Sequence, residues 1–470
     1  MSYGLMATEI LTALLALGLL VLGLIAPKEE QKGIGYLAVA GLIGIFLVTL
    51  VNFKATGSLY QGMFLVDSFG SFFKLVFLAA GILVSLSATH YVSCISSNRG
   101  EFFALLVTAT LGMMVMASAG DFVTLYIGLE LMTISFYILT SYLSGNAKSS
   151  EAGLKYLILG AMSSAVLLYG MSLVYGITGT VIISQIASGI RVEPALILGL
   201  VFLLAGFGFK ISAVPFQMWA PDIYEGAPTP VTAYLAVGSK AAGFVVLLRV
   251  FLSAFPDLAS SWVNLVAILA AATIIFGNLV AIPQTNIKRL LAYSSIAQAG
   301  YILVGLVAVS ELGAKGVMFY SMLYVFANVG AFAVAIAVGA FTGSDEIKDF
   351  AGLSQRSPFL ASAMVVFLLS MAGIPPLAGF VGKFYLFAAI VEKGFLWLAF
   401  VAFVMSMVSV YYYLSVARVM FLDEPEDMTP VPISAGLRTA LLVAMIVTIL
   451  VGVYPAPLSE LANVAASALF

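Results

Sequence analysis

The chain has 470 residues, of which 62% are apolar and 9% charged, and its mean hydropathy of +1.13 excludes a soluble protein. The net charge of −2 leaves no basic surface for nucleic acid. With one cysteine, Cys94, and one histidine, His90, the chain cannot hold an iron–sulfur cluster, a paired-histidine haem, an HExxH zinc site or an internal disulfide.

Apolar runs of about 20 residues follow one another along the whole chain, and each is long enough to cross a bilayer core of roughly 30 Å. The connections between them are short, and no phosphate-binding glycine loop occurs. The sequence therefore predicts an all-α polytopic membrane protein with about 14 transmembrane helices. The predicted spans, in chain order, are 4–26, 34–53, 66–92, 101–119, 121–143, 151–176, 194–220, 229–254, 260–282, 288–309, 315–342, 357–391, 395–421 and 434–455.

Basic residues are distributed unequally between the two sides of the predicted bundle. The connections after even-numbered spans carry four: Lys54, Arg191, Lys315 and Lys393. The connections after odd-numbered spans carry eleven: Lys28, Lys32, Arg99, Lys148, Lys155, Lys288, Arg289, Lys348, Arg356, Arg418 and Arg438. The positive-inside rule then places the odd connections in the cytoplasm and both termini outside.

Four ionisable residues fall near the middle of predicted spans: Glu130, Lys210, Lys240 and Lys383. At 1.5 Å per residue, Glu130 lies about 13 Å beyond Asp121 at the start of its span. A charge at this depth costs at least about 2.5–3.5 kcal/mol, so each needs a partner, water or a function. Because burial lowers the pKa of a lysine and a nearby carboxylate raises it again, such a row of groups can hold and release protons.

Prolines interrupt two of these spans beside the lysines. Pro215 follows Lys210, and Pro375 and Pro376 precede Lys383. The two latter prolines should free the carbonyls of Met371 and Ala372, which protein or water must then satisfy. Both spans also carry the pattern AGFxxK, at 205–210 and 378–383, as expected of an inverted repeat with broken helices.

Polar side chains near these breaks are candidates to line a file of water: Gln217, Tyr293, Ser294, Ser295 and Gln298.

The remaining charges have simpler interpretations. Arg249 lies near the end of its span and is expected to anchor the interface, whereas Asp67 and Lys74 are expected to be structural. A second interpretation of Glu130 and Lys210 is a static ion pair that only joins two helices. The sequence thus leaves three functions open: a proton pump, a stand-alone cation/proton antiporter, and a membrane scaffold.

Several motifs resemble the antiporter-like membrane subunits of respiratory complex I, the proton-translocating NADH–quinone oxidoreductase. They are GFKISAVPFQMW at 208–219, PDIYEGAPTPVTA at 221–233, IKRLLAYSSI at 287–296 and AGIPPLAGFVGK at 372–383. The resemblance extends over nearly the whole chain. Its YEGAPTPVTA stretch is similar to the N-type branch rather than to sister subunits or multisubunit sodium/proton antiporters.

The resemblance implies two inverted five-helix repeats, with helices 7 and 12 broken. The implied parts are an N-terminal three-helix segment at 1–100, the first repeat (helices 4–8) at 101–254, the second (helices 9–13) at 255–421, and a C-terminal helix 14 at 422–470. It assigns Glu130 and Lys210 as a coupled pair, Lys240 as the central relay and Lys383 as the terminal proton site. It implies no cofactor in this chain and places FMN, iron–sulfur clusters and quinone in partner subunits.

The expected partners are other membrane-arm subunits, sister antiporter-like chains among them, together with lipid and protons. The full set of spans favours the plasma membrane of a bacterium over a thylakoid or mitochondrial inner membrane. The family often has histidine where this chain has Gln217 and Gln298. Glutamine does not titrate, so water is expected to carry protons past these two positions.

Overall fold

The computed structural model describes residues 3–27, 30–95, 98–143, 145–425 and 427–470. Lys28, from the count of basic connections, lies outside the described residues. The α-helices of the described chain are α1 Ala7–Ile25, α2 Ile34–Val51, α3 Ser68–Ile95, α4 Arg99–Ser118, α5 Phe122–Thr140, α6 Ala147–Thr178, α7 Ile183–Ile186, α8 Pro194–Ile211, α9 Trp219–Gly226, α10 Thr229–Tyr234, α11 Lys240–Ala254, α12 Ala259–Ala281, α13 Ile287–Val307, α14 Glu311–Thr342, α15 Leu353–Arg356, α16 Pro358–Ala372, α17 Ala378–Glu392, α18 Leu396–Leu422, α19 Ala435–Val453 and α20 Ala456–Ala466.

Thirteen helices of the described chain are long and apolar enough to cross a membrane. The shorter apolar helix α16 and the helix α17 follow each other across the break at Pro375 and Pro376, and together they occupy the predicted span 357–391. The prediction of an all-α protein with about 14 transmembrane helices therefore agrees closely with the structure. A short hairpin of β1 (Gly57–Leu59) and β2 (Phe64–Val66), between α2 and α3, is a small exception that the sequence analysis missed.

The helix ends follow local rules of sequence. Polar side chains accept hydrogen bonds from the first backbone N–H groups of α5, α6, α13, α14 and α19, and thereby cap five helix starts. These capping residues are Asp121, Asn146, Asn286, Ser310 and Ser434. Beyond α19 the chain forms one further helix, α20, which the sequence analysis did not separate from helix 14.

The helices divide into an inner and an outer set. The segment from Thr229 to Ala254, together with α3, α13 and α14, is almost wholly buried, whereas only about a third of α1, α6, α18 and α19 is buried. The apolar side chains exposed on the outer set suit contact with lipid tails. The inner set carries Lys240 together with many other buried polar side chains, so these polar groups lie in the interior of the bundle.

A buried proton-path candidate

The first break separates α8 from α9. Lys210 lies in the last turn of α8, and Ser212 follows in the left-handed conformation with φ of 60°. Pro215 is in the connection, where its ring and missing N–H prevent the helix from continuing. The indole Nε1 of Trp219, at the start of α9, donates to the carbonyl of Phe209 at 2.9 Å and joins the two halves.

Lys210 and Glu130 lie near each other without forming an ion pair. Lys210 is 1% exposed, and its Nζ donates to the Thr133 hydroxyl of α5 at 3.2 Å. The Glu130 carboxylate, three residues earlier on α5, accepts instead from the Ser164 hydroxyl at 2.6 Å. No ion pair within 4.0 Å joins them in the described chain. The geometry thus differs from the static ion pair that was one interpretation of the sequence.

Lys240 is the central cation of the bundle. It begins α11 directly after a π-helical turn at Leu235–Ser239, and it is 2% exposed. Its Nζ donates to the Ser295 hydroxyl at 2.7 Å and lies 5.9 Å from the ring centre of Tyr224. Both contacts are neutral. The π-helical turn had no signal in the sequence, although such turns are frequent at functional sites.

Lys383 lies at the second break, where two hydrogen bonds hold its side chain. Its Nζ donates to the Ala372 carbonyl at 3.0 Å and to the Ser406 hydroxyl at 2.8 Å, and it lies 4.4 Å from the ring centre of Tyr301. The neighbouring Met371 carbonyl accepts from the Gln298 amide at 2.9 Å. Both carbonyls that the prolines were predicted to free are therefore satisfied, one by a candidate proton carrier and the other by a candidate lining residue.

Hydroxyl and amide groups occupy the space between Lys240 and Lys383. Two of the predicted lining residues, Ser294 and Gln298, contact the Tyr413 hydroxyl at 2.5 and 3.2 Å. The Tyr412 hydroxyl donates to Asn278 at 3.1 Å, and the Asn278 amide donates to Tyr301 at 3.0 Å. This network spans α12, α13 and α18, and it reaches the ring that covers Lys383.

Of the other three predicted lining residues, Ser295 contacts Lys240, whereas Tyr293 and Gln217 contact neither that lysine nor this network in the described chain. Tyr293 is half-buried and packs its ring against Phe276, because it faces α12 instead of the interior. Gln217 is buried in the first break, but its amide oxygen has no partner within the described residues. The sequence did not predict Asn278, Tyr412 and Tyr413 as members of this network, although an asparagine within a long apolar helix is a signal of a buried polar contact.

Two buried ion pairs lie near the starts of α1 and α3. Glu9 of α1 meets Lys74 of α3 at 2.6 Å, and both side chains are at most 4% exposed. Arg249 forms two hydrogen bonds to Asp67, at 2.8 and 3.0 Å. Burial by itself would raise the pKa of the Asp67 carboxyl, but the charge and hydrogen bonds of Arg249, together with the Gly70 N–H and the charge of Lys74, lower the pKa below its usual value.

These pairs correct one expectation. Arg249 is 5% exposed, so the prediction that it anchors the membrane interface is wrong. Its guanidinium stays inside because Asp67 neutralises it and the Ala117 carbonyl accepts a further hydrogen bond at 2.9 Å. Within the described residues, no group of three or more histidine, cysteine, aspartate or glutamate side chains is placed to hold a metal ion.

Comparison with known proteins identifies relatives over the whole length. A family described as NADH:quinone oxidoreductase/Mrp antiporter, transmembrane, matches residues 119–409. NADH-quinone oxidoreductase subunit N of Heliobacterium modesticaldum is 57% identical over 100% of both chains. A chain of respiratory complex I from Thermus thermophilus is 34% identical, with a TM-score of 0.83, over 97% of this chain and 99% of that one.

The same fold occurs in a more distant assembly. A chain of the Mrp complex from Dietzia sp. superposes with a TM-score of 0.89 over 100% of this chain and 98% of that one, at 22% identity. At that identity the likeness shows a shared fold alone.

Proposed function

Because the chain belongs to the NADH:quinone oxidoreductase/Mrp antiporter family, as an antiporter-like membrane subunit of the complex I type, we propose that its buried ionisable residues carry protons across the membrane. The proposed carriers, in order along the bundle, are Glu130, Lys210, Lys240 and Lys383. The observation that supports this most strongly is that each lysine is almost fully buried and donates only to neutral oxygen atoms. An ammonium with neutral partners is costly inside a membrane, and a functional role explains why it is kept.

The proposed relay runs through groups that can exchange hydrogen-bonding partners. Glu130 acts on Lys210 through its charge, since Thr133 and Ser164 separately hold the two side chains. Lys240 passes its proton by way of Ser295 towards the tyrosine network, and Lys383 accepts it at the second break. Gln298 cannot titrate, and its role in this relay is to orient the Tyr413 hydroxyl.

The remaining parts of the proposal concern the assembly. Helices 4–8, at residues 101–254, and helices 9–13, at residues 255–421, would form the two inverted repeats, flanked by segments 1–100 and 422–470. Electron transfer would take place on FMN, iron–sulfur clusters and quinone in partner subunits, next to other membrane-arm subunits. The membrane would be the plasma membrane of a bacterium, with both termini outside.

The stand-alone cation/proton antiporter is the second candidate. The fold shared with the Mrp complex chain is the observation in its favour, but the 57% identical relative is a quinone oxidoreductase subunit, which favours the redox-driven pump. Sodium-dependent dissipation of a pH gradient without any electron donor would support the antiporter instead.

Replacing Glu130 by glutamine tests the proposed pair. The amide keeps an acceptor for the Ser164 hydroxyl but removes the charge near Lys210. We expect proton uptake coupled to quinone reduction in sealed vesicles to fall about 10²-fold or more, within the range of proton-transfer groups elsewhere. Glu151→Gln is the matched control, because that carboxylate is 62% exposed on α6. Equal uptake by Glu130→Gln and the wild-type chain would remove Glu130 from the relay.

A further inference from the structure

The charged residues of two sequence motifs have no part in the relay described above. Asp222 and Glu225 belong to the motif at 221–233, and Lys288 and Arg289 belong to the motif at 287–296. The fold brings the two motifs together, because the end of α9 lies against the start of α13. We name Lys288 and Arg289 the α9 clamp.

Arg289 joins both carboxylates of α9 through one nitrogen atom. Its Nη1 donates to Asp222 Oδ1 and to Glu225 Oε2, each at 3.0 Å. Burial alone would raise the pKa of both carboxyls, but hydrogen bonds and charge from Arg289 and from one lysine each lower it, so both stay ionised near neutral pH. These lysines, Lys148 and Lys155, are 75% and 43% exposed, so their own ion pairs contribute little.

Lys288 holds the backbone of the same helix end. Its side chain is 5% exposed, and its Nζ donates to the carbonyls of Glu225 and Ala227 at 2.6 and 3.0 Å. The last carbonyls of a helix have no partner within the helix, and a cation beside them also complements the negative end of the helix dipole. Asp345 pairs with the same nitrogen at 3.4 Å and balances its charge. The start of α13 therefore binds α9 through both its side chains and its main chain.

The clamp goes against the local preferences of α13. Lys288 and Arg289 lie in the first turn of this helix, which contains no acidic residue. Cations at a helix N-terminus oppose the macrodipole, so they do not stabilise α13 itself. Sequences break such local rules chiefly at functional or strained sites. The contacts with α9 account for the two cations, whereas helix propensity does not.

The helix that the clamp holds contacts the surroundings of two proposed proton carriers. At the start of α9, the Trp219 indole is bonded to the carbonyl of Phe209, the residue before Lys210. Near the end of α9, the centre of the Tyr224 ring lies 5.9 Å from the Lys240 nitrogen. A shift of this eight-residue helix would therefore change the environment of both lysines.

The clamp and the partner of Lys240 lie on one face of α13. Ser295, which accepts from the Lys240 nitrogen at 2.7 Å, is seven residues after Lys288 and so two turns along the same face. One rigid helix thus holds α9 at its start and Lys240 further along.

We propose that Lys288 and Arg289 fix α9 in the position that sets the separation of Lys210 and Lys240, and that Arg289 is a positioning residue for proton transfer between these two lysines. The inference rests on the proposed function, and it adds residues that carry no proton themselves. The competing interpretation is a contact that stabilises the fold and has no effect on transfer.

Arg289→Gln tests the clamp. The variant removes the charge, while Lys148 and Lys155 continue to neutralise the two carboxylates, so the chain should still fold. We expect proton uptake per assembled chain, coupled to quinone reduction in sealed vesicles, to fall about tenfold, since a misplacement of roughly 1 Å can cost about 10²-fold in enzymes. Arg438→Gln is the matched control, because this arginine is exposed near the start of α19 on the same predicted side.

Two further variants separate positioning from stability. A single nitrogen of Arg289 makes both contacts, and a lysine ammonium has three donors, so Arg289→Lys should restore most of the uptake. Glu225→Gln is milder than Arg289→Gln, because its amide oxygen still accepts from Arg289, and it should lower uptake less. It also takes the place of Arg289→Gln if that variant does not assemble.

Normal uptake per assembled chain in Arg289→Gln would overturn the clamp, as would normal uptake in Glu225→Gln where it takes that place. A fall that follows only the amount of assembled chain, with Arg289→Lys no better than Arg289→Gln, would also overturn it. Lys240→Met is measured alongside. Loss of uptake in Lys240→Met leaves the proposed function standing even if the clamp fails, whereas normal uptake would contradict the function itself.

Discussion

Replacing Lys383 by methionine is expected to lower proton translocation about 10²-fold or more, while the chain still folds and assembles. The lysine nitrogen is the only titratable group described at the second break that contacts the freed Ala372 carbonyl. Folding should survive because the Ser406 hydroxyl already donates to the same carbonyl at 3.0 Å, so no acceptor is left unpaired. Proton uptake per quinone reduced, measured in sealed vesicles, tests the expectation.

The control for this variant lies at the other end of the same helix. Lys393 caps α17 and is exposed, so Lys393→Ala should pump at the wild-type rate. A scaffold role for the buried charges predicts that Lys383→Met lowers assembly and transport equally. That result, measured as the amount of assembled chain, would contradict the relay.

Removing one partner of the Glu9–Lys74 pair is expected to destabilise the chain strongly. In Lys74→Met the Glu9 carboxylate stays buried without its cation, and the hydrogen bond from Thr8 at 2.8 Å does not replace it. The expected cost is about 3–5 kcal/mol in the free energy of unfolding. The midpoint of thermal unfolding of the chain, measured in the detergent-solubilised complex, should fall accordingly.

The double variant Glu9→Gln with Lys74→Met separates pairing from packing. Because it removes both charges, it should recover most of the lost stability. Lys155→Met is the surface control: its side chain is 43% exposed, and its pair with Glu151 should contribute about 0–1 kcal/mol. A double variant as unstable as Lys74→Met would show that packing rather than charge holds α1 against α3.

The helix breaks were predictable because proline acts locally. A missing N–H at Pro375 and Pro376 frees two specific carbonyls, and the structure satisfies both, with Gln298 at Met371 and Lys383 at Ala372. The burial of Lys240 was also predictable from its depth, at 1.5 Å of rise per residue. Family membership, read from motifs on the same helices, is confirmed by the comparisons.

The partners of these residues could not be predicted, because they depend on how separate helices rotate against one another. Asp67 and Arg249 are 182 residues apart in the sequence. Without knowledge of that contact, an arginine near the end of a span resembles an interfacial anchor. Tyrosines are common at membrane interfaces, so the sequence does not show that Tyr412 is buried. Its contact with Asn278 on another helix does.

A cavity of about 1000 Å³ among the helix ends on one side of the bundle could not be predicted from any single stretch of sequence. The ends of α3, α9 and α14 and the starts of α6, α10, α13 and α19 line it, and Lys288 in its wall contacts carbonyls more than 60 residues away in the chain.

The most direct test of the central claim is the number of protons taken up per electron transferred by the complex that carries Lys240→Met. The measurement uses sealed vesicles, with Lys155→Met as the control, and the amount of each chain is quantified in the same preparation. Because Lys240 lies between the two breaks, we expect a lower ratio for Lys240→Met and the wild-type ratio for the control. A wild-type ratio and rate with Lys240→Met, in fully assembled complex, would contradict it.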